Sequence, residues 1–189
     1  MSEERPITAI VCSRDGGDHL TETLAGIRHA LGPADAALVI DSASSTDSVA
    51  TAAHAAGIDC LRLSLPGLSR ARNAGVRSAE TEIVAFTDDD CRPDPDWLER
   101  VRAHFADPNV AFVTGRVAAS RDVAAGASVL ERRELVRYSG AQDPYGIGHG
   151  ANMAFRRSVL LELGGFDEKL GAGTELRSGE DADMLYRCL

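Results

Sequence analysis

The sequence predicts an α/β fold with a central, mostly parallel sheet flanked by helices, on three observations. Short apolar runs bounded by polar residues, such as Ile7 to Cys12 and Ile83 to Phe86, suit strands buried on both faces. Segments with helical spacing alternate with those runs, so each strand and helix makes a β-then-α unit with a right-handed crossover. Carboxylates stand where two of the strands end, at Asp41 and at Asp88-Asp89-Asp90. The carboxyl ends of parallel strands are where open α/β sheets bind ligands.

In order, Ile7 to Cys12 reads as a strand and Ser13 to Gly17 as its turn. Leu20, Leu24, Ile27 and Leu31 follow helical spacing, with Asp18 as cap and Gly32-Pro33 closing the segment. Ala37 to Ile40 repeats the buried-strand pattern and ends on Asp41; a helix from Val49 to Ala56 stops at Gly57, and Ile58 to Leu63 gives a third strand. Leu68 to Val76 reads as a helix carrying Arg70, Arg72 and Asn73. Its arginines, beside the acidic strand end, are well placed for a diphosphate.

Three adjacent like charges repel, so Asp88 to Asp90 call for a positive partner, and a divalent cation carrying a phosphorylated ligand is the economical choice. Read alone, the cluster fits a solvated acidic turn equally well. Asp94 and Asp96 are better read as caps of the helix marked by Trp97, Val101 and Phe105, with Pro95 in its first turn. Val110 to Val117 is a further strand, giving the order βαβαβαβαβ. From Ala118 to Asp143 the pattern weakens, though Val129, Arg132, Arg133 and Val136 allow a helix. Gly146 to Gly150 is a flexible, site-lining stretch, and Ala151 to Phe155 a short strand. Ser158 caps a helix through Leu163 closed by Gly164-Gly165. Gly171 to Thr174 follows as a mobile loop, and Ser178 to Asp183 opens a last helix.

Composition narrows the function. The chain has 189 residues, 44% of them hydrophobic, enough for one domain with its own core. A net charge of -9 argues against a broad nucleic-acid surface or binding to anionic membranes. Cys12, Cys60, Cys91 and Cys188 form no CxxC pair, so neither a zinc site nor a disulfide framework is expected, and a reducing, cytoplasmic setting fits best. No apolar run approaches the length of a membrane span.

The landmarks converge. The strand Ile7 to Cys12, the strand ending at Asp41, Ala71-Arg72-Asn73-Ala74-Gly75, Asp88-Asp89-Asp90, Gly150 to Arg157 running on to Gly164-Gly165-Phe166-Asp167, and Gly179-Glu180-Asp181 occur in an order and spacing that resembles the inverting family 2 glycosyltransferases of GT-A fold. Each is weak alone; together they are specific. The resemblance implies a single catalytic domain over 1–189, with 1–117 binding the nucleotide and 118–189 serving acceptor and catalysis. It implies that Asp41 meets the base or ribose, that Arg72, Asp88 and Asp89 serve the nucleotide, and that Asp90, third in a DxD pattern, holds Mg2+ or Mn2+. It implies Glu180 and Asp181 as the catalytic pair, with Asp181 the general base, and Asn152 lining the donor or acceptor pocket. For Glu180, interaction with a helix amino terminus is almost as good a reading.

The sequence departs from the family pattern in three places. The first strand runs into Cys12-Ser13-Arg14-Asp15 rather than a Pro-containing loop, and the loop after Asp41 is one residue longer than the common form. Family members usually continue past the acidic pair with a strand and acceptor-binding elements, so the acceptor part is expected to be truncated at Leu189. The implied activity is sugar transfer from a nucleotide-diphosphate donor to an acceptor hydroxyl of a glycan, lipid or small molecule, with a homo-oligomer allowed. The alternative is a non-catalytic nucleotide-sugar-binding or interaction domain. A sugar-phosphate nucleotidyltransferase would need a Gly-rich, basic phosphate loop after the first strand, for which Ser13 to Gly17 is a poor substitute.

Overall fold

The computed structural model describes residues 5–119, 129–140, 143 and 146–189. The elements are β1 (Ile7–Ser13), α1 (Asp18–Ala30), β2 (Ala36–Asp41), α2 (Ser48–Ala55), β3 (Asp59–Arg62), α3 (Leu68–Ser78), β4 (Ile83–Asp88), α4 (Trp97–His104), β5 (Phe112–Thr114), β6 (Met153–Arg156), α5 (Arg157–Glu162) and α6 (Glu180–Arg187). The six strands form one sheet in the order β3-β2-β1-β4-β6-β5. β1, β2, β3 and β4 pair in parallel, whereas β6 runs antiparallel between β4 and β5.

Side chains alternate across the central strands and feed two cores. Ile7, Ala9 and Val11 of β1 and Ile83 and Ala85 of β4 face one core with Leu20, Leu24 and Ile27 of α1 and Leu98 of α4. Ile10, Val84 and Phe86 face the other, with Phe155, Leu160, Phe166, Met184 and Leu185. Each such Leu, Ile or Phe contributes roughly 1.5–3 kcal/mol on burial. α3 lies close on the second face because its sheet-side residues are small: a Cβ on Gly75 would stand 2.8 Å from Ile10 Cγ2.

Several sequence expectations shift. The fourth strand lies beside β6, which runs in reverse, and the fifth strand lies at the edge. β5 is confined to Phe112–Thr114, and Val117 instead forms an isolated antiparallel bridge with Leu130. Residues 129–140, where Val129, Arg132, Arg133 and Val136 allowed a helix, are not helical. Asp18 is the first residue of α1 rather than its cap, and Asp96 stands at the cap of α4 without a side-chain cap bond, paired instead with Arg100. Ser158 lies inside α5. The loop at Gly171 to Thr174 docks on the start of α3, where Leu68 donates to the Ala172 carbonyl at 2.9 Å.

Candidate functional site

The strand register gathers the first carboxylates. Ser13 aligns with Asp41 on one side of β1, and Cys12 with Asp88 on the other. With neighbouring strands about 4.8 Å apart, Asp41 and Asp88 flank the end of β1 at roughly 10 Å. Both stand at the carboxyl edge of the parallel half of the sheet.

Asp41 is fully buried. Its Oδ1 accepts the Ser44 N–H at 2.8 Å, while Oδ2 has no hydrogen-bond partner. Arg62 Nε stands 3.4 Å from that oxygen, a charge contact without hydrogen-bond geometry. Arg62 also reaches Asp47 Oδ1 at 2.5 Å, and Asp15 Oδ1 accepts from the Ser45 backbone and hydroxyl, so the loops after β1 and β2 are tied together over Asp41.

At the end of β4 the carboxylates differ. Asp88 Oδ1 lies 3.4 Å from Arg72 Nη2, and Asp89 Oδ2 accepts the Ser13 hydroxyl at 2.5 Å. Asp90 is exposed and, among the described residues, accepts only a weak thiol bond from Cys91 at 3.6 Å. Burial raises the Asp88 carboxyl above its ordinary range against the pull of Arg72, and the Asp90 charge adds to the rise. Burial likewise raises Asp89 against the Ser13 hydrogen bond, again helped by Asp90. Burial pushes the Cys12 and Cys91 thiols up to about 12, which leaves them inert as nucleophiles.

No group of three or more His, Cys, Asp or Glu among the described residues makes a ready metal cage. A Mg2+ or Mn2+ ion arriving on a diphosphate needs only one or two protein carboxylates, its other ligands being phosphate oxygens and water. Asp90, exposed and next to a raised Asp88, fits that requirement.

The second acidic pair meets the first through Arg72. This arginine is 2% exposed; Nη1 donates to Glu180 Oε1 at 2.8 Å and Nη2 faces Asp88. Asp181 Oδ2 accepts the Gly150 N–H at 2.9 Å, and its Oδ1 the Ala182 N–H at 2.8 Å. Asn152 is committed at both ends of its amide, accepting from Trp97 Nε1 at 3.0 Å and donating to the Arg116 carbonyl at 3.0 Å. Arg70 pairs with Glu168, and Arg77 is exposed, so of the three arginines only Arg72 reaches the carboxylates.

The family profile described as Glycosyl transferase family 2 matches residues 8–164. The chain belongs to that family. A pre-mycofactocin glycosyltransferase of Mycobacterium tuberculosis is 32% identical over 133 residues, 65% of this chain and 26% of that protein. A glucosyl-dolichyl phosphate glucuronosyltransferase of Haloferax volcanii is 31% identical over 115 residues, 56% of this chain and 36% of that protein. The chain thus spans about a quarter to a third of these relatives. In structure it is similar to a mannosyltransferase of Pyrobaculum calidifontis solved with GDP-Man and Mn2+, with TM-score 0.68, 24% identity and coverage of 94% of this chain and 50% of that one. S. aureus TarS 1–349 superposes with TM-score 0.75 at 18% identity, covering 96% of this chain and 54% of that one. The fold of this family 2 chain is GT-A, a six-stranded, mostly parallel sheet with flanking helices.

Sequence reasoning gave no role to Ser13 or Arg62, read Gly150 only as part of a site-lining stretch, and took Phe166 only as a landmark of the resemblance. Ser13 carried a signal, since it ends β1 and parallel pairing sets it beside Asp41. Arg62 carried none, and the partners of Gly150 and Phe166, Asp181 and Arg72, were not legible because tertiary packing sets them.

Proposed function

We propose that the chain is the donor-binding and catalytic part of an inverting, metal-dependent glycosyltransferase that uses a nucleotide-diphosphate sugar. The observation that carries the reading is the Arg72 bridge, which draws Asp88 and the Glu180–Asp181 helix to one edge of the sheet. In this reading residues 1–117 bind the nucleotide and 118–189 supply the catalytic side.

Asp41 reads the base or ribose once Arg62, a 41% exposed side chain 3.4 Å from its otherwise unpartnered Oδ2, swings aside; a buried unmade bond costs about 1–3 kcal/mol, which a nucleotide donor would relieve. Asp88 and Asp89 serve the ribose side of the nucleotide, and Asp90 holds Mg2+ or Mn2+. When bound, that ion offsets the charge that grows on the leaving diphosphate. Asp181 takes the proton from an acceptor hydroxyl as its oxygen bonds to the anomeric carbon; the opposite carbon–oxygen bond breaks, its electron pair leaving with the diphosphate. One displacement inverts the centre. General-base assistance is typically about 10²–10⁴-fold. Asn152, its amide occupied by Trp97 and Arg116, shapes the pocket wall by holding α4 against the end of β5.

A thermal-shift screen of UDP-, dTDP- and GDP-sugars with and without Mn2+, followed by assay of nucleoside diphosphate release, tests the reading. A ligand at 100 times its dissociation constant adds about 2.7 kcal/mol of stability. One donor is expected to raise the melting temperature in the presence of Mn2+ and to be consumed. Binding without release would favour a non-catalytic nucleotide-sugar domain; no binding by any donor would overturn both.

A further inference from the structure

We propose that Arg72 is a positioning residue, which fixes the base-bearing helix α6 against the donor edge of β4, and that it does not bind the diphosphate. The proposal rests on Asp181 being the base.

The guanidinium is enclosed by protein on each side the structure describes. Glu180 Oε1 accepts from Nη1 at 2.8 Å and Asp88 Oδ1 lies 3.4 Å from Nη2. The Phe166 ring packs against it with its centroid 5.6 Å from Cζ. Gly150 fills the remaining approach: a Cβ there would stand 2.7 Å from Nη2 and 3.3 Å from Asp181 Oδ2. At 2% exposure the guanidinium offers no free face to a phosphate. Its shorter bond is to the helix that carries Asp181, so holding α6 is its main task.

The neighbouring residue locks the arrangement. Asn73 Oδ1 accepts the Phe166 N–H at 2.8 Å and Asn73 Nδ2 donates to the Phe166 carbonyl at 2.9 Å. Gly165 lets the chain pass, with φ +79° and a Cβ position only 2.5 Å from Asn73 Oδ1. Asn73 thus seats the ring that covers Arg72, and consecutive residues of α3 order both. A lysine would keep the charge but lacks the planar fork that reaches two carboxylates at once.

The test is a cycle of Arg72→Lys, Glu180→Gln and the double variant, read as donor dissociation constant and as kcat for nucleoside diphosphate release. Arg72→Lys is expected to lower kcat about tenfold or more with donor affinity within about threefold, and the double variant to be no worse than the worse single one. Weakened donor binding with kcat preserved would make Arg72 a phosphate ligand and overturn the proposal, as would additive losses. Hydrogen exchange reads the same contact without turnover. Arg72→Lys should speed exchange of α6 amides and leave β1 and β4 unchanged, whereas unchanged α6 exchange or uniformly faster exchange would overturn the positioning role. If the wild-type chain consumes no donor, the base assignment fails on its own, and the exchange result still decides whether Arg72 holds α6.

Discussion

The Gly150 N–H donates to Asp181 Oδ2 at 2.9 Å, so the loop that precedes β6 orients a carboxylate on α6. Each Asp181 oxygen accepts one backbone bond and keeps a lone pair for an incoming proton. A methyl group at position 150 would intrude between Asp181 and Arg72. Gly150→Ala should therefore lower kcat about tenfold or more at saturating donor while leaving donor affinity largely intact. Steady-state kinetics at fixed acceptor or with water as acceptor checks this; an unchanged kcat would show that the gap at Gly150 has no bearing on the chemistry.

Asp90 has no protein cation to satisfy it among the described residues. Asp90→Ala and chelation by EDTA are each expected to weaken nucleotide binding, by about tenfold or more, and to do so non-additively because both remove the same interaction. Calorimetric titration of the nucleoside diphosphate measures both. Affinity indifferent to EDTA and to the substitution would remove the metal role from Asp90.

The raised Asp88 and Asp89 carboxyls give a pH dependence with a definite sign. In the ligand-free chain the native state holds more protons than the unfolded state between the ordinary carboxylate value of 3.8 and the raised ones. Stability from these groups thus falls as pH rises through that window, and the penalty is complete above it. An ionised carboxylate accepts a ribose hydroxyl better than a protonated one, and its charge attracts the cation proposed at Asp90, so ligand affinity rises with pH over the same window. The melting-temperature gain on adding Mn2+ with the nucleoside diphosphate should grow accordingly. A gain independent of pH would mean the two carboxylates do not face the ligand.

Away from the site, Asp35 is the buried clamp of the amino-terminal edge. It accepts the Ile7 and Gly32 N–H groups and both oxygens meet Arg102 Nη2 at 2.6 Å. Asp35→Ala leaves these donors unpaired and should destabilise by roughly 2–4 kcal/mol, the lower part of the range reflecting the 27% exposure of Arg102. Urea unfolding measures it, and a change below about 0.5 kcal/mol, ordinary for a surface site, would show the clamp to be incidental.

The parallel half of the fold was legible because β1, β2 and β4 are mostly apolar runs, and β2 and β4 end on Asp41 and Asp88. The direction of β6 was not, since nothing in Met153 to Arg156 says which way the strand enters the sheet; its antiparallel pairing with β4 and β5 is set by tertiary packing. In sequence Arg72 reads as a cation beside an acidic strand end, placed for a diphosphate; its partner Glu180 lies 108 positions away. Asn152 shows the same limit: an amide that looks free in sequence is consumed by Trp97 and Arg116. The capping expectations for Asp18 and Ser158 failed by a small shift of helix start, whereas Asp96 holds the cap position of α4 with its side chain turned to Arg100. No described helix is long and apolar enough to cross a membrane.

The most direct test of the account is the rate of nucleoside diphosphate release by Asp181→Asn beside wild type, with donor affinity measured on the same preparations. The account predicts a loss of about 10²–10⁴ in turnover with donor binding retained, because the substitution removes a proton acceptor and leaves the donor edge intact. Equal losses of turnover and binding, or turnover left unchanged, would contradict it.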